Sequence, residues 1–355
     1  METTHIDYKK LLNNSEYDFL RTDKHLGNNI CMLVLSGSIA CGVNTPESDI
    51  DLRGVAMSSL SELTGIVPDF DHVQSNDNDS FIMSTKKAIG LFLECNPNTL
   101  ELLGCKPEHY LYLNDYGKLI LAHKNDFISK RVITKFGGYA DDQFNRMEHG
   151  LLGNGSNPDK KLLMLRESLQ RSIVAFNKMH SDEHINIDLK IVTPEMFNEI
   201  YPNKELKNVY DNKLILVDGT FKDVPVTDFK DVISSLHKVQ SEYGNINHRN
   251  TKKDEYKLAK HQYTLVRLFK EGIELNQGKG IITYREADHD LLVDIRNMKY
   301  MTEDKKQVLP EFYDIIHDLQ KEWEYSIKHS VLPDEPNYDG IKELVIGLYK
   351  DQFTK

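Results

Sequence analysis

The sequence predicts an α+β protein: a small N-terminal α/β domain, then a larger, mainly helical domain that carries a small α/β insertion. Three observations predict it. A short apolar run, ICMLVLS at 30–36, reads as a buried strand. A stretch rich in turn residues, Gly37 to Ser48, leads into a second strand-like segment, DIDLRGVAM at 49–57. From about residue 115 the pattern changes to long helical periodicity, at 115–150, 159–180, 228–243 and 252–276.

The remaining elements follow in order. Residues 6–22 read as an opening helix, 79–84 as a third strand and 85–94 as a helix. Asn96-Pro97 starts another helix, with Asn as the cap and Pro at the first helical position; it carries Leu100, Leu102 and Leu103. INIDLKIV and KLILVDGTF read as short strands inside an insertion near 183–230. Helical pattern returns at 286–296, 303–328 and 339–350. The expected segments are a catalytic domain at 1–125, a helical substrate- and nucleotide-binding domain at 126–302, and C-terminal helices at 303–355.

Composition narrows the function classes. The chain has 355 residues, 39% hydrophobic and 28% charged, which suits a globular protein with a sizeable core. The apolar run through Cys31–Leu35 is far too short to cross a bilayer, and METTHIDYKK holds no apolar targeting segment. A cytoplasmic protein with no membrane partner is expected. Cys31, Cys41, Cys95 and Cys105 lack the paired spacing of a zinc site and read as reduced, packed thiols. The net charge of −11 argues against non-specific coating of nucleic acid. A local basic stretch does exist: residues 249–270 hold seven Lys or Arg against Asp254 and Glu255. A solvated helix face is the alternative reading of that stretch.

The chemistry is concentrated around Gly37-Ser38 and Asp49-Ile50-Asp51. In an extended segment, residues i and i+2 share a face, so Asp49 and Asp51 stand side by side while Ile50 points to the core. Two adjacent carboxylates repel unless a cation lies between them. Mg²⁺ takes oxygen ligands, commonly one or two carboxylates plus substrate phosphates. A Gly-Ser turn after a strand brings backbone N–H groups near phosphate oxygens.

The stretch GSIACGVNTPESDIDLRGV resembles the signature of the DNA polymerase β-like nucleotidyltransferases. It resembles more closely still a bacterial and phage branch of predicted nucleotidyltransferases, some of which are associated with RNA repair. Gly37, Ser38, Gly42, Thr45, Pro46, Ser48, Asp49, Asp51, Arg53 and Gly54 carry the match. NPNTLELL (96–103), FGGYADDQFNRM (136–147) and DLLVDIRNMKY (290–300) resemble further segments of that branch. Two positions depart from it. Thr264 stands where the branch usually has His, with His261 one turn earlier, and the late segment has Arg-Asn-Met for Arg-Asn-Gly.

The resemblance implies Mg²⁺ or Mn²⁺ at Asp49, Asp51 and a third carboxylate, with an NTP as substrate. Asp79 is the choice for the third ligand, with Asp77 as rival and Glu101 as a further candidate. Gly37, Ser38, Ser48 and Arg53 join the nucleotide-binding set. Lys260 and Arg267, two helical turns apart in KLAKHQYTLVRLFKEG, share a helix face and are expected to clamp the NTP phosphates or the acceptor's backbone. Gln143 and Arg146 are weaker candidates, His149 and His180 receive no role, and Trp323 reads as packing. The expected reaction moves an NMP from an NTP to a hydroxyl, an RNA or tRNA-like end being favoured over a protein or small molecule. A nucleotide- or RNA-binding module with a silent transferase domain is the alternative class; an intact Asp49–Asp51 pair argues against it. The oligomeric state is left open.

Overall fold

The computed structural model describes residues 8–45, 48–68, 70–75, 78–153, 185–202, 214–221, 230, 255–305 and 307–353. The expected helices at 159–180 and 228–243, Pro46, Asp77 and His180 lie outside them, apart from Lys230. The described chain is α+β, as the sequence predicts. Two compact units divide it: one of residues 1–144, 259–300 and 309–355, the other of 145–258 and 301–308. The first unit thus draws chain from all three of the expected sequence segments.

Five strands build the sheet of the first unit: β1 Ile30–Leu35, β2 Leu52–Ala56, β3 His72–Gln74, β4 Ser80–Ser84 and β5 Tyr110–Leu113. Their order is β3-β4-β2-β1-β5. β1 is buried along its whole length, as its unbroken apolar run requires, and pairs antiparallel with β2 and β5. β2 pairs parallel with β4, with Leu52 opposite Ser80, and β3 runs antiparallel beside β4. One face of the sheet is covered by the N-terminal segment. Tyr17, Leu20 and Leu26 pack there with Leu33, Leu35, Leu52 and Ile82.

That segment is not one helix. Short turns at Tyr8–Leu11, Ser15–Tyr17 and Phe19–Thr22 replace the expected helix at 6–22. Asn13, Asn14 and Asp18, residues whose short polar side chains compete with helical bonding, interrupt it. The helical region at 115–150 is also two helices, Asp115–Ala122 and Arg131–Gly153. Thr85–Leu93, Glu255–Asn276, His289–Arg296 and Tyr338–Phe353 lie within three residues of their expected starts and ends, whereas the helix expected at 303–328 begins only at Pro310, after a bridge between Met301 and Val308, and runs to Lys328. Trp323 is buried against Gly272 of the Glu255–Asn276 helix, 2.6 Å from where a Cβ would stand, so it packs as expected. All four cysteines are free thiols, and burial pushes Cys31 and Cys41 up to about 12.

In the second unit, β6 Ile185–Val192 and β7 Leu214–Phe221 form an antiparallel pair with Ile185 opposite Phe221. The helix Pro194–Ile200 lies between them in sequence, capped by Thr193, whose hydroxyl accepts from the Met196 N–H. This is the small α/β insertion.

Candidate active site

The site lies at the ends of β1, β2 and β4. β1 ends at Leu35, and the chain turns through Gly37 (φ +61°) into the short helix Gly37–Cys41. Because β1 stops there, β2 has no ladder partner beyond one further bond, from the Ser36 N–H to the Asp51 carbonyl at 2.9 Å. The strand expected at 49–57 therefore begins only at Leu52, and Asp49 and Asp51 precede it. The alternation expected of a strand survives in this extended approach. Ile50 packs on the core, Asp49 is exposed and Asp51 is half-buried.

Gly37 is required twice over. Its φ suits glycine, and the Asp51 carboxylate occupies the place a Cβ would take. Gly42, at φ +77°, ends the short helix in the left-handed conformation, with the Tyr284 ring where its Cβ would be.

The parallel register of β2 and β4 sets Asp79, just before Ser80, level with Asp51. The Arg53 guanidinium locks the two strands here, donating to the Asp79 carbonyl at 2.5 Å and lying 5.7 Å from the Phe81 ring. Asp49 and Asp79 both line an open cleft of about 730 Å³, with Glu16, Tyr17, Ile50, Gln74, Ser75 and Asn78. The Asn78 amide, donating to the Glu16 carbonyl at 3.1 Å, ties the N-terminal segment to the rim.

Burial raises the Asp51 carboxyl above its ordinary value; Arg53 and Lys260 oppose the rise, while Asp79 and Asp49 add to it. Asp49 and Asp79 thus both act on Asp51, and Lys260 reaches Asp51 from the Glu255–Asn276 helix. Their all-oxygen, mutually repelling donor set fits a hard divalent cation in chemistry. Among the described residues, no three His, Cys, Asp or Glu side chains are gathered closely enough to be a formed metal cage.

Behind the cleft lies a second, buried set of charges. Arg267 is 6% exposed and pairs with Glu101 and, at 3.2 Å, with Glu271. The expectation of two free cations on one helix face is corrected here: Lys260 is exposed, whereas Arg267 is enclosed and neutralised. Glu101 is likewise buried in this network rather than on a solvated helix face or in the cleft. Arg285 forms a neighbouring pair with Glu274 at 2.5 Å and with Asp288. The segment 281–285 fixes the network to the site: Thr283 donates to the Glu101 carbonyl at 2.6 Å, and the Arg285 N–H to the Cys41 carbonyl at 3.0 Å.

The other candidates distribute as follows. Ser38 is half-buried in the first turn of the short helix. Ser48 accepts from the Thr45 N–H at 2.8 Å and from Arg296 at 3.4 Å. Gln143 meets His261 Nδ1 at 2.8 Å, and Arg146 is exposed. Tyr139 accepts from the Asn96 amide at 2.8 Å, joining two of the singled-out segments. Arg296 is the residue that sequence reasoning passed over. Its one signal was the Ile-Arg of the late segment, with nothing to show that it returns to Ser48.

Residues 13–180 match the RNA repair pathway DNA polymerase beta family, so this part of the chain is similar to polymerase β-like nucleotidyltransferases. The match includes Gly37, Ser38, Ser48, Asp49, Asp51, Arg53 and Asp79. No curated protein and no solved structure matches the chain.

Proposed function

We propose, from the match over residues 13–180, that the chain moves an NMP from an NTP to a hydroxyl, releasing pyrophosphate, with an RNA end as the acceptor. The observation that carries the reading is that Asp49 and Asp79 line one cleft and both act on Asp51, which the β2–β4 register sets level with Asp79. A divalent cation, magnesium or manganese, held by these three carboxylates would neutralise charge on the reacting phosphate. Asp79, at the open side of the cleft, stands where an acceptor hydroxyl enters and helps to activate it. Gly37, Ser38 and Ser48 border the position of the triphosphate, and Lys260 brings positive charge to it. Arg53 holds the Asp79 backbone in place, so that the third carboxylate stays level with the pair.

The RNA acceptor rests on the family's description and on the basic stretch 249–270, of which Lys257 and Lys260 are exposed. No helix among the described residues is long and apolar enough to cross a membrane. The test incubates the protein with each α-labelled NTP, Mg²⁺ or Mn²⁺ and a cellular RNA pool. Label on RNA is expected. Label on protein alone would contradict the acceptor, and NTP binding with no transfer would point to a silent binding module.

A further inference from the structure

The loss of Arg267 from the cleft leaves Lys260 without its expected partner, and the structure supplies another cation. Arg296 ends the helix His289–Arg296. Its guanidinium carbon lies 5.7 Å from the Tyr263 ring centroid, and Nη2 donates to the Ser48 hydroxyl at 3.4 Å. Tyr263 is three residues beyond Lys260, so it lies one helical turn along the same helix face. Ser48 immediately precedes Asp49, and Lys260 acts on Asp51. Arg267 approaches the same Tyr263 ring, at 5.8 Å, but its charge is consumed by Glu101 and Glu271.

We propose that Arg296, with Lys260, binds the terminal phosphates of the NTP, the role the sequence assigned to Arg267. This rests on the nucleotidyltransferase reading and deepens it. A triphosphate brings several negative charges, and a guanidinium is a permanent cation whose planar fork matches two phosphate oxygens. A charged phosphate oxygen is a stronger acceptor for a guanidinium than the neutral Ser48 hydroxyl. Half-burial on Tyr263 fixes the stem direction while the head keeps access to the motif turn. The interaction is made where the pyrophosphate leaves, so Arg296 also favours that product.

The probe is inorganic tripolyphosphate with Mg²⁺, titrated calorimetrically into the full chain. Arg296→Ala should weaken binding by about tenfold or more, equal to about 1.4 kcal/mol. Arg296→Gln keeps the stem and hydrogen-bonding capacity, and should lose as much; it carries the test if the alanine variant does not fold. Lys299→Ala removes a nearby cation that is paired with Asp294 at 2.6 Å, and should stay within about twofold of wild type, under the same conversion. Unchanged binding by folded Arg296 variants, or an equal loss in Lys299→Ala, would overturn the assignment alone. No binding by the wild-type chain would overturn it together with the nucleotidyltransferase reading.

Discussion

Two groups of carboxylates lie close together in the first unit, and they are treated in opposite ways. Asp49 and Asp79 line an open cleft and both act on Asp51, where Arg53 and Lys260 oppose them among the described residues. Glu101 and Glu271 are buried and Glu274 and Asp288 half-buried, each in an ion pair with Arg267 or Arg285. Desolvated charge must be matched inside a protein, whereas unmatched charge at a cleft is available to a ligand. Residues singled out by one family resemblance thus divide into those left at an open cleft and those enclosed in ion pairs. Proximity in sequence to a signature does not decide between these fates; burial and pairing do.

The comparison is broken most forcefully at Arg267. Arg267→Ala leaves Glu101 and Glu271 buried without their cation, and should cost about 3–5 kcal/mol of stability. Denaturant unfolding measures it, and a loss below about 1 kcal/mol, the range of a surface ion pair, would show that the network is not structural. At the cleft the expected effect falls on rate instead. Asp49→Asn and Asp51→Asn should each lower transfer by about 10²–10³-fold, roughly 3–4 kcal/mol of barrier. Removing one of two like charges should leave thermal stability unchanged or slightly raised. Full transfer by either variant would remove the pair from the reaction.

The smallest effect sharpens the buried side. Burial, with Glu101 and Glu274 adding to it, pushes the Glu271 carboxyl up to about 8 against the pull of Arg267 and Arg285. An acid held above its unfolded value binds more protons in the folded state. Its contribution is present below about 4.5 and is lost as pH rises towards about 8. Glu271→Gln should therefore change stability at pH 7 by less than about 1 kcal/mol and flatten its decline up to pH 8. A large loss at pH 7 would show that the ionised carboxylate is required there.

Much of this was legible in the sequence, and the failures have physical causes. The unbroken apolar run of β1, the turn at Gly37 and the inward Ile50 follow from local pattern. The start of β2 did not, because it depends on where β1 stops pairing. β3 and β5, of three and four residues, are too short for periodicity to register. Lys260 and Arg267 do lie seven residues apart in one helix. The segment 281–285, distant in sequence, packs beside the Glu101 network, and the helix pattern cannot contain that contact. The meeting of Arg296 with Ser48 spans 248 residues and is equally invisible locally.

The central claim is that the cleft carboxylates do the chemistry while the buried pairs only support them. Its most direct test is pyrophosphate release from NTP per folded molecule, measured below the melting temperature for Asp51→Asn and for the double variant Glu101→Gln with Arg267→Met. The double variant removes both members of the closest buried pair, and Glu271, which also loses Arg267, is held up at about 8 already and stays protonated at pH 7. The account predicts that Asp51→Asn melts like wild type and releases almost no pyrophosphate, whereas the folded double variant keeps activity within about an order of magnitude. Activity retained in Asp51→Asn, or abolished in the folded double variant, would contradict it.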